Sequence, residues 1–152
     1  MQIPPEWHRQ LHDISRVVLA YLLSLPIGWQ REEEAHAVGV RTFPIVAMAS
    51  CGYVLLAMPG QQSLDAQSRI IQGLVAGMGF IGAGAIMKAG PRVHGTAAAA
   101  SIWNMGVLGA AIAQDRFLLA VVLAIVNFAG LRYLLPLKKK IDDRESRHGR
   151  KQ

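Results

Sequence analysis

Four stretches of this chain carry no Asp, Glu, Lys or Arg: those between Arg41 and Asp65, Arg69 and Lys88, Arg92 and Asp115, and Arg116 and Arg132. A helix on the surface of a soluble protein keeps a charged or polar face toward water. These stretches have no such face, so hydrocarbon is the solvent they suit. Composition agrees: 17% of residues are charged and 52% hydrophobic, whereas an ordinary soluble domain is roughly 25% charged.

A bilayer-spanning helix needs about 20 apolar residues, within a range of about 17 to 25. Phe43 to Met58, Ile70 to Met87, Ala97 to Ala113 and Phe117 to Leu135 meet or approach that length. Leu11 to Trp29 adds a weaker fifth segment, with Asp13 and Arg16 at its start and Pro26 near its end. Residues 1–29 also admit a signal-peptide reading, with Val17 to Ile27 as the apolar region. Against it stand the long charged start and the lack of a small-x-small site before "QREEE". The expected fold is an all-α integral-membrane bundle of about five transmembrane helices. It covers residues 1–137, and a basic cytoplasmic tail covers 138–152.

Lys and Arg collect on the cytoplasmic side of membrane proteins. With five spans and the tail inside, all of the 16 Lys and Arg residues except Arg9, Arg16, Arg69 and Arg116 face the cytoplasm. The N-terminus then lies outside. Trp7, Trp29 and Tyr133 fall where interfacial aromatic belts form, and Trp103 lies mid-segment. The net charge of +6 resides mostly in the tail. Beside a membrane such a cluster meets anionic headgroups, at about 1 kcal/mol per basic residue, so a lipid bilayer rather than a nucleic acid is the expected partner. Cys51 is the single cysteine and reads as a small buried filler.

Within "GLVAGMGFIGAGAIMK", residues 73–88, Gly77, Gly79 and Gly82 spell G-x-G-x-x-G. A dinucleotide site requires a strand before that motif and an acid about 20 residues after it. The chain has no acid between Asp65 and Asp115, so the glycines need another reason. At about 100° per residue, Gly73, Gly77 and Gly84 share one side, and Gly79 and Gly82 the other. Small residues let membrane helices approach closely. Two opposed small faces predict neighbours on both sides, with the glycine-rich third helix at the centre of the bundle and a homo-oligomer held by the same packing.

The polar residues offer fewer candidates. Asn104 and Ser101 share a helical face in the fourth segment, where they serve either as interhelical hydrogen-bonding groups or as the lining of a polar cavity. Asp13 and Arg16 form an i, i+3 pair, read as a snorkelling interfacial pair or as an outer gate. The first inner connection, "GWQREEEAHAVGVRT", holds Arg31, Glu32, Glu33, Glu34 and Arg41, with Thr42 closing it. Glu32, Glu33 and Glu34 are weak metal candidates: magnesium takes carboxylate oxygens, but helical neighbours splay apart, and a solvated loop accounts for them equally well. No Ser, His and acid set has a catalytic arrangement, and His8, His12 and His94 lack zinc-type spacing. The expectation is a non-enzyme without a cofactor.

Taken in order, "PIGWQRE", "GVRTFPIVAMASCGYVL", "SRIIQGLVAGMGFIGAGAIMK" and "VHGTAAAASIWNMGVLGAAIA" resemble the MgtC/SapB family of bacterial inner-membrane proteins. The resemblance runs from about Arg16 to Leu135. "GMGFIGAGAI" followed by "AASIW" is its most specific part. Gly28, Arg31, Glu32, Gly39, Arg41 and Thr42 match further family positions.

The resemblance implies a five-span domain linked to magnesium-limited growth and, in pathogens, to survival inside phagocytes. It also implies a regulator acting on the membrane sector of ATP synthase, in the manner of the best-studied type. Trp29 and Gln30 stand where the family usually has Leu-Glu, and Ala97 and Ala98 where it has two threonines. The soluble C-terminal domain of virulence-type members has no counterpart here, so the chain is similar to the short form. Two functions are therefore expected in order: a regulatory or interaction protein of the inner membrane, then an oligomeric cation transporter or channel subunit. The second would be lined by Ser101 and Asn104 and approached past Arg31 and Glu32.

Overall fold

The computed structural model describes residues 5–33, 39–58, 64–89 and 92–149, and the side chains at 7–30, 39–58, 65–88 and 93–134. The uncharged stretches fold as helices. In chain order the elements are α1 (Pro5–Glu33), α2 (Thr42–Ala57), α3 (Leu64–Gly84), β1 (Met87–Ala89), β2 (Arg92–His94), α4 (Thr96–Ala113) and α5 (Phe117–Gly149). The two strands form an antiparallel hairpin that pairs Met87 with His94 and Ala89 with Arg92. Helix α5 continues without a break past residue 137, so the backbone of residues 138–149 extends the last helix.

The surface of the bundle is one that water would not tolerate. Phe80 is 85% exposed, Leu118 80% and Leu56 73%, and the exposed apolar residues are spread over all five helices. An apolar surface this extensive belongs in lipid, and the chain is an all-α integral-membrane protein. Among the described residues, three segments are long and apolar enough to cross a bilayer: Trp7–Gln30, Thr96–Ala113 and Phe117–Leu134. Helix α2 is apolar but has 16 residues. Helix α3 has 21 residues, and Asp65, Gln67, Arg69 and Gln72 make its first turns polar.

The centre of the bundle is α4, which corrects the expectation for α3. Helix α4 packs against α1, α2, α3 and α5, whereas the main neighbours of α3 are α4 and α2. Burial follows. Ile102, Met105, Leu108 and Ile112 on α4 are fully enclosed. On α3, Gly73, Gly77, Gly79 and Gly84 have nothing near enough to touch an added methyl group. Gly82 alone of the five candidate glycines meets a neighbour, with the Ala99 carbonyl oxygen 3.4 Å from where its Cβ would stand. What seats α3 on α4 is Met78, whose buried side chain fills the space left by Gly106 and whose sulfur lies 3.9 Å from Ser50 Oγ.

Helix α1 carries Pro26 in its interior, which removes one backbone donor from the ladder. Just before it, Ser24 is fully buried and donates to the carbonyls of Ala20 at 2.9 Å and Tyr21 at 2.8 Å. At Gly28 the missing side chain lets the loop before α2 lie against α1: an added Cβ would be 2.9 Å from Val40 Cα. The Gly39 carbonyl then accepts from the amides of Thr42 at 3.1 Å and Phe43 at 3.2 Å, which starts α2. Gly28, Gly39 and Thr42 thus act together as a joint between the first two helices.

Candidate functional site

Among the described residues, two groups of the candidate polar side chains tie helices together. Ser101 and Asn104 lie in the N-terminal half of α4, and Asp115 lies just beyond its last turn. At 1.5 Å per residue, Ser101 and Asp115 are about 21 Å apart along the helix. The candidate residues therefore do not surround one cavity.

The first group joins α4 to α5. Ser101 Oγ is 3.1 Å from Asn127 Oδ1 and donates to it, and Asn104 Nδ2 donates to the Leu123 carbonyl at 3.3 Å. Ser101 is buried. Asn127 Nδ2 is buried too and has no partner among the described residues, a state that costs about 1–3 kcal/mol. Beside these residues a groove of about 440 Å³ runs along α4 and α5, otherwise lined by Ala97, Ala100, Val126 and Leu134 among others. Asn127 is absent from the sequence-based candidates, although it is the sole polar side chain between Arg116 and Arg132. That isolation was the signal that could have found it.

Gln30 adds a link from α1 to the same stretch of α5. It is 7% exposed. The hydrogen-bond pattern sets its amide so that the nitrogen donates to the Phe128 carbonyl at 3.2 Å and the oxygen accepts from the Arg132 amide at 2.9 Å. A carboxylate, which the family resemblance puts at this position, could accept from Arg132 but could not donate to Phe128. The departure from the family pattern thus has a structural counterpart.

The second group ties α1 to the turn between α4 and α5. Arg16 Nε donates to Asp115 Oδ1 at 2.9 Å, and Arg16 Nη2 pairs with Asp115 Oδ2. Asp13 Oδ1 lies 3.4 Å from Arg16 Nη1. The turn holds Asp115 in the left-handed region, at φ 59. Sequence reading found Asp13 and Arg16 together but missed Asp115, which is 99 positions away from Arg16.

Hydrogen bonding by Arg16 holds the Asp115 carboxyl below its ordinary value, against an opposing desolvation and with further lowering by the Arg16 and His12 charges. A carboxylate depressed in the folded state contributes stability that is present above its unfolded pKa and is lost as pH falls through the folded value. The tie is therefore intact at neutral pH and releases only below the ordinary aspartate range near 3.8. Hydrogen exchange at the Gln114–Arg116 amides checks this. Asp115→Asn is expected to speed exchange already at neutral pH, and the unaltered chain only in acid.

Of the remaining candidates, the two with described side chains, Arg41 and Thr42, stay apart from both groups. Arg41 is exposed at the N-cap of α2, and Thr42 opens that helix half-buried. Arg31, Glu32 and Glu33 end α1, with their side chains outside the described residues, and Glu34 lies wholly outside them. Among the described residues no three His, Cys, Asp or Glu side chains converge as metal ligands do.

Comparison with known proteins places this arrangement. The chain is 37% identical over 110 residues to protein SrpB of Synechococcus elongatus, covering 64% of this chain and 60% of that protein. It is 33% identical over 113 residues to protein MgtC of Salmonella typhimurium, covering 74% of this chain and 48% of that protein. With protein MgtC of Brucella abortus it shares 28% identity over 145 residues, covering 94% of this chain and 60% of that protein. The chain thus spans about half to three fifths of the length of these relatives. No solved structure matches it. The sequence pattern of the MgtC family matches residues 17–140, from the second turn-pair of α1 into the basic end of α5, and the chain belongs to the MgtC family.

Proposed function

We propose that this chain is a regulatory or interaction protein of the bacterial inner membrane, linked to magnesium homeostasis or growth at low magnesium. One observation carries the reading. Ser68, Gln72, Ala76, Gly79 and Ala83 are all exposed on α3 and, at i+3 and i+4 steps, form a single stripe. The stripe lies outside the contact that Gly82 makes with Ala99. Small residues of this kind allow a second membrane helix to approach backbone to backbone. Gln72 sits in the stripe with its amide 3.4 Å from Ser68 Oγ, and a polar side chain that meets a partner costs less than one facing acyl chains.

The partner is another copy of the chain or a different membrane protein. The family resemblance points to the membrane sector of ATP synthase, and the magnesium link is carried over in the same way. In this reading the chain is not an enzyme and uses no cofactor. Its N-terminus lies outside and its tail in the cytoplasm, following the Lys and Arg distribution.

The test is growth in limiting magnesium of cells that depend on this chain. Gly79→Leu, which blocks the stripe, is expected to abolish growth at an unchanged membrane level, whereas Leu118→Ala on lipid-facing α5 is expected to support it. Full growth with Gly79→Leu would remove the reading.

A second reading, an oligomeric cation transporter or channel subunit, has one observation of its own: the unpartnered Asn127 amide beside the groove lined by Ser101 and Asn104. Liposomes loaded with a magnesium-sensitive dye separate the two. Flux that Asn104→Ala abolishes would favour transport, and no flux above empty liposomes would dismiss it.

A further inference from the structure

A cleft of about 530 Å³ lies between helices α2 and α3. Ile45, Ala49 and Tyr53 of α2 and Ile70, Gly77 and Ile81 of α3 are among its walls. Glycine at 73 and 77 keeps the α3 wall low. At one end the cleft meets a smaller recess of about 300 Å³, and Ile70 belongs to both walls. The character changes there: Gln67, Gln114 and Arg116 line the recess. An apolar slot thus opens onto a cationic, amide-rich mouth.

Arg116 is available for a ligand. Among the described residues it makes no ion pair. Its neighbour Asp115 does not neutralise it, because both Asp115 oxygens are held by Arg16 on α1. The turn sends the acid toward α1 and the base toward α2 and α3. A guanidinium flanked by amide donors suits a phosphate, which it can bind through two hydrogen bonds.

Size selects the rest of the ligand. From Ile70 to Ile81 the slot runs about 16 Å along α3. That length is about half of a roughly 30 Å hydrocarbon core, the depth one acyl chain occupies. The slot is apolar along it with a cationic, amide-lined mouth at one end, which suits an acyl chain bearing an anionic headgroup. We infer that the α2–α3 cleft holds one acyl chain of an anionic glycerophospholipid, with the lipid phosphate seated on Arg116. The site is on the opposite side of α3 from Gly79, so it stands or falls separately from the proposed partner stripe.

Native mass spectrometry of the chain in mild detergent, titrated with phosphatidylglycerol, tests this. The expected result is one tightly retained lipid per chain. Arg116→Gln should weaken it about fivefold, the effect of one basic residue on a membrane anion, and Arg69→Gln should leave it unchanged. Gly77→Leu should fill the slot and abolish retention, and free glycerophosphate should not compete. Equal affinity in the unaltered chain and both cleft variants would overturn the proposal. So would effective competition by glycerophosphate, which would mean a headgroup anion alone. Disulfide-linked dimers of Gly77→Cys in a Cys51→Ala background would also overturn it, since a second copy would then occupy the cleft. If Gly77→Leu fails to fold, a phosphatidylglycerol with a photoreactive acyl chain decides on the unaltered protein. Labelling of the α2 and α3 wall supports the site, and labelling confined to other helices refutes it.

Discussion

Gly109→Ala is expected to lower the stability of the bundle by about 1–3 kcal/mol or more, the range for forcing an extra methyl into a filled core, while Gly77→Ala leaves stability unchanged. The contrast is sharp because both are glycines in apolar helices of one chain. A methyl at Gly109 would overlap the carbonyl oxygen of Ala47 and stand 2.9 Å from the Cys51 amide nitrogen and 3.0 Å from Ser50 Cβ. Two of those three atoms are α2 backbone, which cannot turn aside as a side chain can. The only relief is to push α2 away from α4, and that loosens the enclosed Phe43, Leu108 and Ile112 as well. At Gly77 the added methyl would meet nothing within 4 Å. At Gly106 the obstacle is the flexible end of Met78, so Gly106→Ala should fall between the two. Thermal unfolding in one detergent, followed by circular dichroism, ranks the three variants.

Gly95→Ala should also be severely damaging, for a different reason. Gly95 is the N-cap of α4 and sits at φ 87, in the left-handed region that costs other residues about 1–2 kcal/mol. It is also overpacked: an added Cβ would overlap the Ala85 carbonyl oxygen and come within 3.3 Å of Ile86 Cα. The Gly95 carbonyl meanwhile accepts from the Ala99 amide at 2.9 Å, which starts α4. Strain and overlap together place the expected loss at about 2–4 kcal/mol. It should appear as early exchange of the amides in the β-hairpin and the first turn of α4, with the far end of α4 less affected.

How much of this was visible in the sequence follows from what each residue type reports. Missing charges mark where water is absent, and they located α4 closely, since Ala97 to Ala113 was expected and α4 spans Thr96–Ala113. For α3, Ile70 to Met87 was expected, but the helix spans Leu64–Gly84 and Met87 already belongs to β1. They did not show which helix is central. In a membrane both the packed and the lipid-facing sides of a helix are apolar, so the usual contrast between core and surface is lost. The glycines of α3 showed that neighbours could approach closely, without showing that any did. The central helix was marked more quietly, by small residues such as Gly106 and Gly109 alternating with buried Ile102, Met105 and Leu108, so that bulky and small positions interlock with the neighbouring helices.

Polar pairing was partly legible. Ser101 and Asn104 share a face by spacing alone, and both do point at α5. Their partners Asn127 and Leu123 belong to another helix, which periodicity within one segment does not reveal. The same holds for Arg16 and Asp115. The chain showed isolated charges at the ends of apolar runs, while the pairing depends on how α1 meets the turn after α4. The hairpin at Met87–His94 was hidden because each of its strands has only three residues, too few for alternation to register.

The most direct test of the proposed function places a photoreactive amino acid at Gly79, and separately at Ile102, in cells grown at limiting magnesium. Light should join position 79 to a membrane protein or a second copy of the chain, and position 102 only to its own bundle. Adducts at 79 that contain lipid and no protein would contradict the account, because the α3 stripe would then face nothing but the bilayer.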